Sequence, residues 1–229
     1  MKQQHGHEAR QMRTFLLFRY LPLLLFFASC VIDIEDNGDA EMYRDYVVSA
    51  ETLAATGLPT VSVQTKHDEW IVSEVSWISA TMTIANAATA SWNCAPVAME
   101  IRGRGNSTWG GYKRPYALRL SAEQSLCGMP AHCRWVLIAN YYDNSFIKNE
   151  LAYYLSRQLG MDYTVRGEFV NLVLNGNYVG LYWLGEAILV AENRVAINDE
   201  SDYLLEIDSY FALNSSFDFR TRFQSALQD

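Results

Sequence analysis

Residues 169–188 read FVNLVLNGNYVGLYWLGEAI. Apolar and polar positions alternate from Phe169 to Leu174, and Asn175-Gly176 supplies the two positive-φ positions of a tight turn. Alternation resumes from Tyr178 to Leu184, so the stretch is a β-hairpin. Immediately upstream, residues 146–159 change period: Ile147, Leu151, Tyr154, Leu155 and Gln158 or Leu159 fall on one helical face. That face is the one expected to be buried. Gly160 ends the helix, and Asn144 or Ser145 is the candidate N-cap, with Asp143 equally able to cap.

Working outward, residues 58–64, 78–85, 96–102 and 116–120 each alternate as half-buried strands. Residues 135–139 form a short apolar run, the pattern of a buried strand, and residues 203–207 read as another strand. No internal repeat is visible. The order predicts an α+β fold, mainly antiparallel sheet with one prominent packed helix.

The second informative stretch is IRGRGNSTWGGYKRPYALRL, residues 101–120. Gly103 and Gly105 flank cations, and glycines let backbone amides approach an anion closely. Arg102, Arg104, Lys113 and Arg114 supply the positive charge that phosphate oxygens require, although each also reads as an ordinary solvated strand-end residue. Asn106, Ser107 and Thr108 build a turn with Trp109 packing beneath it. Asn140, Tyr141, Tyr142 and Asp143 form the loop after a buried strand, a common place for site residues.

With residues 134–160, 169–188 and 202–221, this stretch makes four segments that resemble, in order, the CotH kinases, atypical kinases named after a bacterial spore coat protein. The resemblance runs over about residues 58–221. It implies ATP-dependent phosphorylation of protein serine or threonine, with ATP and Mg²⁺ as cofactors. The layout is also similar to the small lobe of a protein kinase. On that likeness Arg102, Arg104 and Lys113 line the triphosphate, Glu150 on the helix pairs with Lys113, and Glu186 stands where the strand meets a hinge. The family's catalytic and metal-binding aspartates lie on a later segment whose motif is not found before Asp229. The expectation is therefore a nucleotide-cradling half whose catalytic residues are not in the sequence given. Glu206 and Asp208 flank Ile207, so both point the same way and could bind Mg²⁺, act as acid and base, or stand as exposed edge charges.

The formal net charge of −8 argues against non-specific nucleic-acid binding. Arg13 and Arg19 flank an apolar run at residues 20–28, too short to span a bilayer, that ends in Phe-Ala-Ser-Cys. Small residues before Cys30 resemble a bacterial lipobox, which implies lipidation at Cys30, membrane attachment, and export to a periplasmic or cell-surface position. Residues 1–29 are then a signal peptide, residues 30–56 an acidic tether, with residues 33–41 too polar to fold, and residues 57–229 the partial kinase-like domain. Cys94, Cys127 and Cys133 remain, and a bridge from Cys127 to Cys133 would close a short loop. Their spacing does not match a zinc site.

The 14 Tyr, 10 Phe and 6 Trp suit a β-rich fold and would equally suit a glycan-contacting surface. The alternative function is accordingly a non-catalytic surface lipoprotein for adhesion or glycan binding. A hydrolase is weaker. His67 and His132 sit in no hydrolase motif, and a glycosidase would need Glu186 with Glu206 or Asp208.

Overall fold

The computed structural model describes residues 47–197, 204–207 and 221–224. A short helix, α1 (Ala50–Ala55), opens it, with the Ser49 hydroxyl accepting the Thr52 N–H. The strands are β1 (Thr60–Thr65), β2 (Ile78–Ala85), β3 (Cys94–Gly103), β4 (Tyr116–Gln124), β5 (His132–Ile138), β6 (Gly167–Leu174) and β7 (Asn177–Glu186). Helix α2 (Lys148–Gln158) lies between β5 and β6. A separate antiparallel pair is formed by β8 (Leu204–Ile207) and β9 (Thr221–Gln224).

Strands β1 to β7 close into a barrel in the order β1-β2-β3-β4-β5-β7-β6. Every neighbouring pair is antiparallel except β1 with β6, which run parallel with Thr60 opposite Asn171 and Val63 opposite Leu174. The α+β expectation, a sheet with a packed helix like a kinase small lobe, is overturned by this closure. Alternating sequence is the same for an open sheet and a closed one, since both bury every second residue. The deciding contact, β1 on β6, joins segments far apart in the chain.

Inside the barrel the alternation is regular. Val61 and Val63, Met82 and Ile84, Met99 and Ile101, Tyr116 and Leu118, Trp135 and Leu137, Val170 and Leu172, Tyr182 and Leu184 all belong to one buried cluster. The β6–β7 turn is the predicted one: Asn175 and Gly176 have φ of 50° and 78°. Asn175 also ties the turn to β1, its Oδ1 accepting from the Thr65 N–H at 2.9 Å.

Helix α2 is the second correction. Its apolar stripe does not pack: Ile147, Leu151, Tyr154, Leu155 and Leu159 are each half exposed or more. The face turned to the barrel carries Glu150 and Tyr153, roughly a third of a turn away around the helix. The reason lies on β7. Trp183 points out of the barrel, and its buried indole N–H needs an acceptor, which Glu150 supplies. The N-cap position is Ile147, which makes no side-chain cap, and of the three candidates in the sequence Asp143 is the one whose side chain reaches the first turn. Its Oδ2 accepts the Lys148 N–H at 2.9 Å and its Oδ1 accepts from Ser145. Gly160 ends the helix with φ 66°.

Candidate functional site

The connection from β3 to β4 carries the glycine-bounded cations. Its glycines are needed for packing rather than for an open cradle. A Cβ on Gly103 would enter the Trp109 ring, and one on Gly105 (φ 104°) would meet the Thr108 hydroxyl. A Cβ on Gly111 would lie 2.8 Å from Tyr141, which presses the turn against the loop after β5. Trp109 thus packs beneath the turn as the sequence predicts.

Lys113 folds back over the end of the barrel. Its Nζ donates to the carbonyl of Ala139 at 2.8 Å and to that of Leu181. The same ammonium stands 4.5 Å from the centre of the Phe146 ring and 4.6 Å from that of Tyr182. Gly180 makes the room, since a Cβ there would come within 3.4 Å of the lysine Cε. Burial pushes the Lys113 amine down to about 8. Beside it, the Tyr182 hydroxyl donates to the Arg114 carbonyl at 2.9 Å, and the Arg114 guanidinium covers Trp109.

One residue along β7, Trp183 is covered by Tyr153 of α2, with ring centres 5.2 Å apart. Trp183 Nε1 donates to Glu150 Oε2 at 3.2 Å, and Arg157 Nη2 donates to Glu150 Oε1 at 2.5 Å. The Tyr153 phenol is raised by burial, with Arg104 acting against the rise and Glu150 adding to it. Both charges therefore stand in its electrostatic neighbourhood. Glu150 therefore stands with Trp183 on the outer face of β7, with Arg104 a charge neighbour of the same Tyr153, whereas Lys113 stands with Tyr182 and Gly180 on the opposite face of the strand. The Lys113–Glu150 pair is not formed, because carbonyls hold the ammonium while Arg157 and Trp183 hold the carboxylate.

The other two candidates lie elsewhere. Arg102 points outward from β3, donates to the Glu74 carbonyl, and covers Trp77. Glu186 lies five residues beyond Leu181, roughly 17 Å along an extended strand. Its side chain is fully buried against Arg194, also fully buried, at 3.0 Å, and against Arg166 at 2.7 Å. It accepts further from the Arg166 N–H and the Tyr163 hydroxyl. Burial first, and then Glu186, push the Tyr163 hydroxyl up to about 12. Tyr163, Arg166 and Arg194, but not Glu186, line an open cavity of about 480 Å³ together with Arg157 and Met161 among others. Arg194 and Arg166 carried no signal in the sequence: each stands in a polar stretch that reads as surface.

Among the described residues no three His, Cys, Asp or Glu side chains converge on a metal position. The side chains of Glu206 and Asp208, like Cys30 and residues 33–41, lie outside the described residues. Cys94, Cys127 and Cys133 are free thiols, so the Cys127–Cys133 bridge is not formed. Burial raises the Cys127 thiol to about 12.

A family model described as CotH kinase protein matches residues 101–228, more than half of the chain. That span takes in the cationic turn, α2 and the β6–β7 hairpin. No curated protein matches the chain. On the strength of the family match, the chain belongs to the CotH kinase protein family.

Proposed function

We propose that the chain acts in ATP-dependent phosphoryl transfer to protein serine or threonine, and that its own part is to hold the nucleotide's polyphosphate. The observation that carries this reading is the cationic β3–β4 connection bearing Arg104, Lys113 and Arg114, whose Lys113 ammonium is anchored by two carbonyls, within the span of the family match. Phosphoryl transfer asks little covalent chemistry of a protein and much electrostatic positioning.

The residues present suit the anionic end of a nucleotide. Arg104 would meet phosphate oxygens directly. Lys113 has two N–H bonds committed to carbonyls, which fixes the third and aims the charge. Glu150 is taken up by Trp183 and Arg157 and has no part in holding the phosphates. Bound ATP supplies the transferable γ-phosphoryl group. Mg²⁺ would take ligands from side chains outside those described, Glu206 and Asp208 being the sequence candidates. Export and lipidation at Cys30 belong to the same proposal and rest on residues 13–30; palmitate labelling that persists in Cys30→Ser contradicts that part.

The test is photolabelling of the chain by radiolabelled 8-azido-ATP in the presence of Mg²⁺. Label is expected with the wild-type chain and is expected to fall at least ten-fold in Arg104→Ala. Labelling that is equal in the two proteins removes the site from the proposal.

A further inference from the structure

Three guanidinium groups crowd one indole on the outer wall of the barrel. Arg102 of β3, Arg119 of β4 and Arg134 of β5 stand 4.9, 4.7 and 5.7 Å from the centre of the Trp77 ring. The register sets Arg119 directly opposite Arg134 on one side and Glu100 on the other. Like charges directly opposite across two strands destabilise the pair, so two arginines in register run against sheet stability.

One carboxylate offsets them. Glu100 Oε2 accepts from Arg119 Nε at 2.6 Å and pairs with its Nη2. Among the described residues neither Arg102 nor Arg134 has a carboxylate partner. Arg102 donates instead to the neutral Glu74 carbonyl, and its Nε is buried with no acceptor. A local excess of positive charge therefore stands on a chain of net charge −8. Stacking on an indole leaves the in-plane N–H groups of a guanidinium free to donate, and two of them match a carboxylate.

We propose that this Arg102–Arg119–Arg134 face is a docking site for a short acidic segment of a partner polypeptide. Its size selects that partner. Three adjacent strands span about 10 Å, close to one Debye length at physiological ionic strength. A membrane or a nucleic acid reaches far past that distance and brings its charge against the acidic remainder of the protein. Alternate side chains of an extended peptide lie about 7 Å apart, so two carboxylates fit across the patch, matching the two arginines that Glu100 does not neutralise.

The site is independent of phosphoryl transfer, and its test contains no nucleotide. A fluorescent peptide of alternating Glu and Ser is titrated with the full chain at low salt, with a Gln-Ser peptide as the control. Binding is expected for the acidic peptide alone and is expected to fade as salt is raised. Arg134→Ala should weaken it roughly ten-fold, the loss of one charge-assisted contact. Lys148→Ala, on α2, should leave it unchanged. Glu100→Gln should tighten it, a gain that a damaged fold cannot mimic. The proposal is overturned by no binding to the wild-type chain, by indifference to both Arg134→Ala and Glu100→Gln, or by preference for anionic vesicles or an oligonucleotide over the peptide.

Discussion

Lys113 sits where burial and charge oppose each other. Two carbonyls and two aromatic rings hold the ammonium, while loss of water brings its pKa down to about 8 from an ordinary value of 10.5. Between those two pH values the unfolded chain keeps a proton that the folded chain has shed. Stability contributed by this group accordingly rises with pH across the window. Urea midpoints from pH 7.5 to 10 should climb in the wild-type protein relative to Lys113→Met. Parallel curves would show that the amine titrates normally. Glu186 poses the opposite case, a buried carboxylate with two arginines and a tyrosine already satisfied around it. Glu186→Gln strands the fully buried Arg194 and should cost about 3–5 kcal/mol in chemical unfolding. A loss below about 1 kcal/mol would mean that water reaches the pair.

Among the elements, the β6–β7 hairpin was legible because its information is local: two alternating runs and an Asn-Gly turn specify it without reference to anything else. The strand positions of β1 to β5 were legible for the same reason. The orientation of α2 was not. A stripe of Ile147, Leu151, Tyr154 and Leu155 identifies a helix, but nothing in the stripe says which surface it meets. What decides is the N–H of Trp183, which draws Glu150 and Tyr153 to the barrel. Substitutions can therefore tell the two orientations apart. Leu155→Ser should change stability by no more than about 0.5 kcal/mol, as for an exposed position. Tyr153→Ala should cost about 2 kcal/mol or more. The reverse order of costs would restore the packed-stripe orientation. The candidate site was legible in part: the cations of residues 101–120 were visible as charge, yet the sequence could not show that Arg102 and Arg104 part company. They do so because β3 ends at Gly103: Arg102, still on the strand, points out of the wall, while Arg104 enters the turn.

At the scale of the whole molecule, closure by the parallel β1–β6 pair makes β1 an interior strand rather than an edge. Amide hydrogen exchange should find the N–H groups of Val61 and Val63 as protected as those of β2. Fast exchange throughout β1 would mean an open sheet. Closure also fixes the distance between the two charged ends of β7, leaving Lys113 near Leu181 and Glu186 far from it. A nucleotide gripped near Tyr182 would then depend on Arg104 and Lys113 and be indifferent to Arg119 on the Trp77 wall. Calorimetric titration of MgATP reads this directly. The wild-type chain and Arg119→Ala should bind with the same Kd, and Arg104→Ala should bind about ten-fold more weakly, the loss of one charge-assisted contact. No heat of binding to the wild-type chain, or equal affinity in Arg104→Ala, would contradict the polyphosphate grip.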